Sequence, residues 1–215
     1  NLRMEDKLKE ELKLLEKNYP DAKYYLNFSN PLELLVAAIL SAQCTDVIVN
    51  KVTSKLFQKY KTAKDYMEAD QFELEEDIKP VTFFRNKSKY IKKTCLILED
   101  EYNGKVPSSM NELIELPGIS RKTANVIQQN GFNIVTGVVV DVHVIRTTQR
   151  LGWTKNKNPE KIEQDLMKLF PKDKWKKIPH LLKNHGRAVC KAPIPICSKC
   201  FLSKLCLKIG VIKFN

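Results

Sequence analysis

The chain of 215 residues, 43% hydrophobic and 29% charged, is long enough to bury a core and too hydrophobic for a disordered protein. Its longest apolar run, Leu34–Leu40, is too short to span a membrane, and no secretory signal opens it, so we expect an intracellular protein with no membrane partner. Since the first residue is Asn, we expect the natural start to be missing.

The formal net charge of +12 lies in one part of the chain. Residues 1–149 carry 21 basic and 21 acidic residues, whereas residues 150–215 carry 16 basic and 4 acidic ones. This asymmetry indicates a polyanionic partner, most often a nucleic acid. The alternative is a lysine-rich coding bias, but bias does not explain why no acidic residue follows Asp173.

Hydrophobic periodicity predicts helices along nearly the whole chain, and hence an all-α fold. The β-branched run 136–144 is interpreted as a loop that leads into a buried helix, because no second strand pattern exists to pair with it. Ser109 and Glu112 have the spacing of a capping box. The predicted helices, in chain order, are Met4–Asn18, 31–40, Thr45–Tyr60, two within 62–78, Asn86–Tyr102, Ser109–Leu116, Ser120–Gln129, one entered from the 136–144 loop, Pro159–Phe170 and Ile178–Cys190.

Four of the six cysteines lie close together near the end of the chain, with the spacing C-x6-C-x2-C-x5-C. They are Cys190, Cys197, Cys200 and Cys206. Without a secretory signal, a metal site is favoured over disulfides. Structural zinc usually shows two C-x2-C pairs and this segment has one, so the spacing alone leaves zinc and an iron–sulfur cluster both open. Cys44 and Cys95 stand alone within apolar helical patterns, where we expect small buried side chains.

The segment Leu116–Ala124 contains a Pro-Gly turn between two predicted short helices. Such a turn presents backbone N–H groups at the start of the second helix, and Gly118 allows close approach, so the segment is typical of a phosphate clamp. A plain helical corner is the alternative. Lys122 lies in the first turn of the second helix, where the helix dipole and partial burial both disfavour the charged amine and thereby favour a nucleophile. Its alternative is a solvated surface lysine.

Asp141 follows the apolar run Val138–Val140. A carboxylate in that position is either a helix cap or a catalytic group, and the pattern favours the cap, although the two roles are compatible.

Taken together, these motifs resemble the endonuclease III family of helix-hairpin-helix DNA glycosylases, and the resemblance covers nearly the whole chain in the right order. The segments that carry it are Leu26–Ser29, Leu40–Gln43, Leu116–Val126, Val140–His143, His185–Arg187 and the four-cysteine segment. The resemblance implies a two-lobed all-α fold. One lobe would be a six-helix barrel over residues 24–134 with the hairpin, and residues 1–23 and 135–215 would form the lobe that holds a [4Fe–4S] cluster on the four cysteines.

The resemblance also implies the activity, which is removal of oxidised pyrimidines from double-stranded DNA followed by cleavage 3′ to the abasic site, by a monomer. Lys122 would be the nucleophile, and Asp141 would stabilise positive charge on the sugar. Gln43 would fill the gap left by the flipped base, and an ordinary exposed glutamine is the alternative. Phe83 would wedge the duplex. The other implied DNA contacts are Leu116, Gly118, Ser120, Arg121, His143 and Lys191.

The chain departs from the family at Thr82, Phe83 and Phe84, where the family usually has Gly, Leu and Tyr. A larger Phe83 favours a stronger wedge, and packing of both phenylalanines in the core is the alternative. Three other functions stay open, namely a monofunctional or mismatch glycosylase, a DNA-binding module without catalysis, and a zinc-bound RNA-binding protein. Lys122 argues against the first, because monofunctional relatives carry a different residue there.

Overall fold

In the computed structural model, which describes residues 3–215, every regular element is helical and no strand occurs in that range. The predicted all-α fold is therefore confirmed. The α-helices are α1 (Met4–Asn18), α2 (Pro31–Ser41), α3 (Asp46–Lys59), α4 (Ala63–Glu68), α5 (Gln71–Asp77), α6 (Phe84–Tyr102), α7 (Met110–Glu115), α8 (Arg121–Gly131), α9 (Val142–Leu151), α10 (Pro159–Leu169), α11 (Lys172–Trp175) and α12 (Ile178–Ala188). None of these described helices is long and apolar enough to cross a membrane.

Several local details differ from the sequence predictions, and α8 and α12 end at Gly131 and Ala188 instead of Gln129 and Cys190. Helix α6 begins at Phe84, two residues earlier than predicted, and the short α11 has no predicted counterpart. Ser109 accepts a hydrogen bond from the Glu112 N–H, but the reciprocal pair of bonds of a capping box is formed by Thr62 and Asp65 instead.

The chain divides into two compact units. The first, Tyr25–Ile134, contains α2 to α8 and is called the hairpin unit. Its centre is α2, in which the whole run Leu34–Leu40 is buried and which packs against α3, α6 and α8. Each large side chain buried there contributes about 1.5–3 kcal/mol. Asn30 caps the start of α2 by accepting from the Glu33 N–H.

The second unit, Asn1–Tyr24 with Val135–Asn215, is called the terminal unit. Helix α12 packs against α9 and α1 around a core that includes Leu15, Val144 and Leu181. The segment that follows α12 is irregular, as predicted, and contains one short 3-10 turn at Cys197–Lys199.

The two isolated cysteines have different surroundings. Cys95 lies on α6 and is fully buried, as predicted. For Cys44 the prediction is wrong, because this residue is half-buried in the loop between α2 and α3 and not within a helix. The chain leaves the α2 geometry at Ala42, ahead of Cys44, and helix α3 begins only where Thr45 caps it.

Candidate functional site

Helix α6 packs against the turn between α7 and α8 and supports it. Gly118 adopts a left-handed backbone with φ +80°, and a Cβ built there would lie 3.3 Å from Tyr90, so this turn requires a glycine. One helical turn further along α6, the Thr94 hydroxyl donates to the Pro117 carbonyl at 3.0 Å. The hairpin is therefore a supported structure with a defined shape. Leu116, the residue directly before the turn, is buried.

Ser120 caps α8 by accepting from the Thr123 N–H at 3.3 Å. Arg121 and Lys122 follow as the first two residues of this helix, where backbone N–H groups and the helix dipole favour an anion. Both side chains are exposed. The partial burial that we expected for Lys122 is therefore wrong. The buried residues of α8 begin only at Ala124, and the residues before it in the first turn lie outside the core.

Two loops of the hairpin unit carry the predicted wedging residues. The Gln43 loop, residues 42–45, connects α2 to α3, and the Phe83 loop, residues 80–83, precedes α6. Gln43 has φ +52° and Phe83 has φ +58°, a left-handed conformation that is costly for residues with bulky side chains. Phe83 is 57% exposed, so the alternative that it packs in the core is wrong; Phe84 is half-buried.

In the terminal unit, Asp141 is the N-cap of α9. One carboxylate oxygen accepts from the N–H groups of His143 and Val144, at 2.9 Å in each case. The favoured interpretation of this residue as a helix cap is confirmed. The side chain is half-buried.

His143 lies beside this cap in a crowded environment. Its Nδ1 accepts from the Arg146 guanidinium at 3.0 Å, and a Cβ on Gly186 would lie 2.9 Å from the same nitrogen. Burial lowers the pKa of His143, while the Asp141 carboxylate acts in the opposite direction. Gly186 thus makes room for the packing of α12 against α9 at this point.

The four cysteines of the terminal segment line one cavity, together with Arg150, Leu202 and other residues. Several donors lie close to the sulfur atoms. The Arg150 guanidinium is 3.4 Å from the Cys190 Sγ, and the Lys208 N–H is 3.4 Å from the Cys206 Sγ. Burial raises the pKa of the Cys206 thiol, and the hydrogen bond from the Lys208 N–H acts in the opposite direction.

Thiol groups are the donors that iron–sulfur clusters use. Within residues 3–215, no three or more His, Cys, Asp or Glu side chains are arranged to hold one metal ion. Structural zinc brings four ligands to about 2.0–2.3 Å from one point, whereas a cluster separates its four thiolates by its own volume. The four cysteines that line one cavity therefore fit a cluster by their donor chemistry.

Two arginines that no sequence motif marks, Arg146 and Arg150, support the cysteine segment. Arg146 donates to the carbonyls of Cys190 and Gly186, at 2.9 Å in both cases. Arg150 donates to the Lys191 carbonyl at 2.7 Å, and the Lys191 side chain itself is exposed. The available signal was their spacing, since two arginines four residues apart on a helix share one face.

Comparisons with known proteins agree with this geometry. Residues 36–172 match the model of the HhH-GPD superfamily base excision DNA repair proteins. The chain is 50% identical to endonuclease III of Synechocystis over 91% of this chain and 89% of the relative. It is 40% identical to endonuclease III of Escherichia coli over 89% and 90%.

A solved structure of a non-covalent endonuclease III–DNA complex superposes with a TM-score of 0.90, at 43% identity, over 96% of this chain and 97% of that one. A thermostable thymine-DNA glycosylase, at 23% identity and a TM-score of 0.82, shares the fold. The chain therefore belongs to the HhH-GPD superfamily of base excision DNA repair proteins and, within it, to the endonuclease III family.

Proposed function

We propose that this protein is a bifunctional DNA glycosylase and abasic-site lyase that removes oxidised pyrimidines from double-stranded DNA. The observation that carries the proposal is Lys122, an amine in the first turn of α8, the helix that follows the supported Pro-Gly turn. The same solved fold occurs in a trapped covalent endonuclease III–DNA intermediate, which superposes with a TM-score of 0.90. A nucleophile on a rigid helix start next to a phosphate-binding turn suits attack on a DNA sugar.

In the first step, the Lys122 Nζ attacks C1′ of a nucleotide that has been flipped out of the stack. The bond between C1′ and the base nitrogen breaks, the base leaves with the electron pair, and Nζ gives up a proton. Opening of the sugar ring converts the C1′–N bond into an imine. Asp141 stabilises the positive charge that develops on the sugar during this step.

In the second step, the imine makes the proton on C2′ acidic. Its removal is followed by β-elimination, in which the bond between C3′ and its oxygen breaks and the strand is cut 3′ to the lesion. Hydrolysis of the imine then returns Lys122 to its free amine. The lysine distinguishes this reaction from simple hydrolysis of the base, which a carboxylate alone can support.

DNA binding is assigned to the hairpin and the wedging loops. Backbone groups of the turn from Leu116 to Ser120, with Arg121, hold the phosphates, and Gln43 and Phe83 enter the duplex. His143 and Lys191 contact the strand from the terminal unit. The protein acts as a monomer, and the basic segment 150–215 attracts the DNA backbone.

We assign a [4Fe–4S] cluster to the terminal unit, with Cys190, Cys197, Cys200 and Cys206 as its ligands. The lining of their cavity supports this assignment. When bound, the cluster supplies cross-linking of an irregular segment and no chemistry on the DNA. Arg146 and Arg150 orient the loop that carries Cys190 and Lys191 through their bonds to its carbonyls.

The proposal is tested by measuring base release and strand cleavage separately on duplex DNA with one oxidised pyrimidine. We expect Lys122→Ala to lower strand cleavage about a thousandfold or more. Asp141→Asn keeps an oxygen for the α9 cap and removes the charge, so it should slow base release about a hundredfold with little change in melting temperature. Lys55→Ala, which changes an exposed lysine of the hairpin unit, is the control. Base release without strand cleavage by the wild type would favour a monofunctional glycosylase instead.

A further inference from the structure

A buried lysine lies in the first turn of α6. Lys87 is 4% exposed, although most lysines of soluble proteins are solvated. Its Nζ donates to the Leu40 carbonyl at 2.8 Å and to the Ala42 carbonyl at 2.5 Å. Both acceptors lie at the C-terminal end of α2, where carbonyl groups have no partner within the helix.

The position explains how a buried amine is tolerated. The end of a helix carries partial negative charge, which favours a cation there. Burial lowers the pKa of Lys87, and the neighbouring Cys44 thiol acts in the opposite direction. Either protonation state of the amine has enough hydrogens to donate to both carbonyls, so the two bonds do not depend on the charge.

The backbone of Lys87 contacts one wedging loop and its side chain contacts the other. Its backbone N–H donates to the Phe83 carbonyl at 3.1 Å. Its side chain holds Ala42, the residue directly before Gln43. Gln43 and Phe83 both have a left-handed backbone, with φ +52° and +58°. Such conformations persist only where the surrounding structure holds them.

We propose that Lys87 is a positioning residue that fixes the Gln43 loop and the Phe83 loop relative to one another, so that both side chains enter the duplex together. The inference rests on the proposed function, in which these loops contact DNA. The wedging residue and the gap-filling residue must enter the duplex at the same lesion and at the same time. A residue that fixes the two loops therefore affects the step in which the duplex is opened. The reaction of the Lys122 amine with the sugar does not depend on it.

The test uses two substrates that differ in whether a duplex must be opened. One is double-stranded DNA with an oxidised pyrimidine, and the other is a single strand with a preformed abasic site. We expect Lys87→Met, which keeps the side-chain length and removes the donors, to slow turnover of the duplex about tenfold or more. Cleavage of the single strand should change less than about threefold, because no partner strand has to be displaced.

A second readout reports on the loops without catalysis. Duplex DNA with a stable tetrahydrofuran abasic analogue and 2-aminopurine opposite it becomes more fluorescent when the opposite base is unstacked. At saturating protein, we expect Lys87→Met to give less than half of the wild-type amplitude. Lys93→Met, on the exposed face of the same helix, should equal the wild type in both assays. If Lys87→Met does not fold, Lys87→Gln retains one donor and should give a smaller loss of the same kind.

The outcomes separate the two claims. Equal slowing of both substrates with an unchanged fluorescence amplitude would mean that Lys87 is only a buried helix cap, and the inference would be overturned. If the wild type cleaves neither substrate, the proposed function fails. The fluorescence comparison would still decide the role of Lys87 in that case, because it requires only binding.

Discussion

The interactions that stabilise the hairpin unit internally differ from those within the terminal unit. In the hairpin unit, consecutive residues of α2 from Leu34 to Leu40 are buried against neighbouring helices. In the terminal unit, the described segment 190–215 has almost no regular structure, and only Pro195 and Leu202 are buried in it. A hydrophobic core thus supports the unit that carries Lys122, whereas the segment with the cysteines leaves nearly all of its apolar side chains outside any core. On the proposed assignment, the cluster would take the place of a core in this segment.

The largest effect is expected from removing one cysteine of the cavity. Cys200→Ser replaces a thiolate by a hydroxyl, which is a poor ligand for an iron–sulfur cluster, so the protein should lose most of its iron and its visible absorbance. Limited proteolysis should then cut within residues 190–215 and leave the hairpin unit intact. Cys44→Ser is the matched control and should keep its iron. Retention of iron by Cys200→Ser would contradict the ligand assignment.

A mutation in the core of the hairpin unit should destabilise that unit and leave the iron content unchanged. Leu35 is fully buried in α2, and Leu35→Ala should lower the free energy of unfolding by about 3 kcal/mol through lost burial and a cavity. Chemical denaturation measures this loss, and hydrogen exchange locates it in the hairpin unit. The iron content should not change. Loss of iron in Leu35→Ala would remove the distinction between the two units.

Acid should act on the terminal unit first, because all three histidines lie in it. Burial, with smaller contributions from Lys183 and Lys176, lowers the pKa of His180 to about 4, while Asp141 acts in the opposite direction. The unfolded chain takes up a proton near pH 6.5 and the folded one does not, so this contribution is present above about pH 6.5 and lost as the pH falls towards 4.

The variant His180→Gln isolates this contribution. It should reduce the fall in unfolding free energy between pH 7 and pH 4 by at most about 3 kcal/mol. Denaturation curves at four pH values, with wild type and variant compared at each, measure the difference. Parallel curves over the whole range would contradict the buried, uncharged state of His180.

The smallest effects separate structure from DNA binding within the hairpin unit. Ser109 and Ser120 cap α7 and α8 in the same way, each by accepting from the N–H three residues later. Replacing either by Ala should cost about 1 kcal/mol of stability. Only Ser120→Ala should also weaken binding to an abasic duplex, by severalfold in a fluorescence titration. Equal binding by both variants would argue against contact between the hairpin and the phosphates.

Much of the fold could be predicted because its signals are local. The period of apolar residues located α1 and α3, and the Pro-Gly turn marked the hairpin with Gly118 at its tightest point. Helix α11 was missed because four residues are too few to show a period. The start of α6 was predicted two residues too late. The residue before the helix, Phe83, has a left-handed backbone, which a phenylalanine in the sequence does not indicate.

The site residues were harder to place in their surroundings. Lys122 was expected to be partly buried, and the direction in which a helix start faces depends on how the helix packs. The buried Lys87 could not be predicted, because its acceptors lie 45 and 47 residues earlier in the chain and are backbone carbonyls, which carry no sequence signal. The cap of Asp141 could be predicted, since its partners are the next residues along the chain.

Borohydride trapping shows whether Lys122 forms a covalent bond to DNA. Wild-type protein is incubated with duplex DNA that contains one oxidised pyrimidine, the imine is reduced, and the cross-linked peptide is identified by mass spectrometry. We expect one adduct, on Lys122, and none with Lys122→Ala. An adduct on a different lysine, or an adduct that persists in Lys122→Ala, would contradict the assignment of Lys122 as the nucleophile.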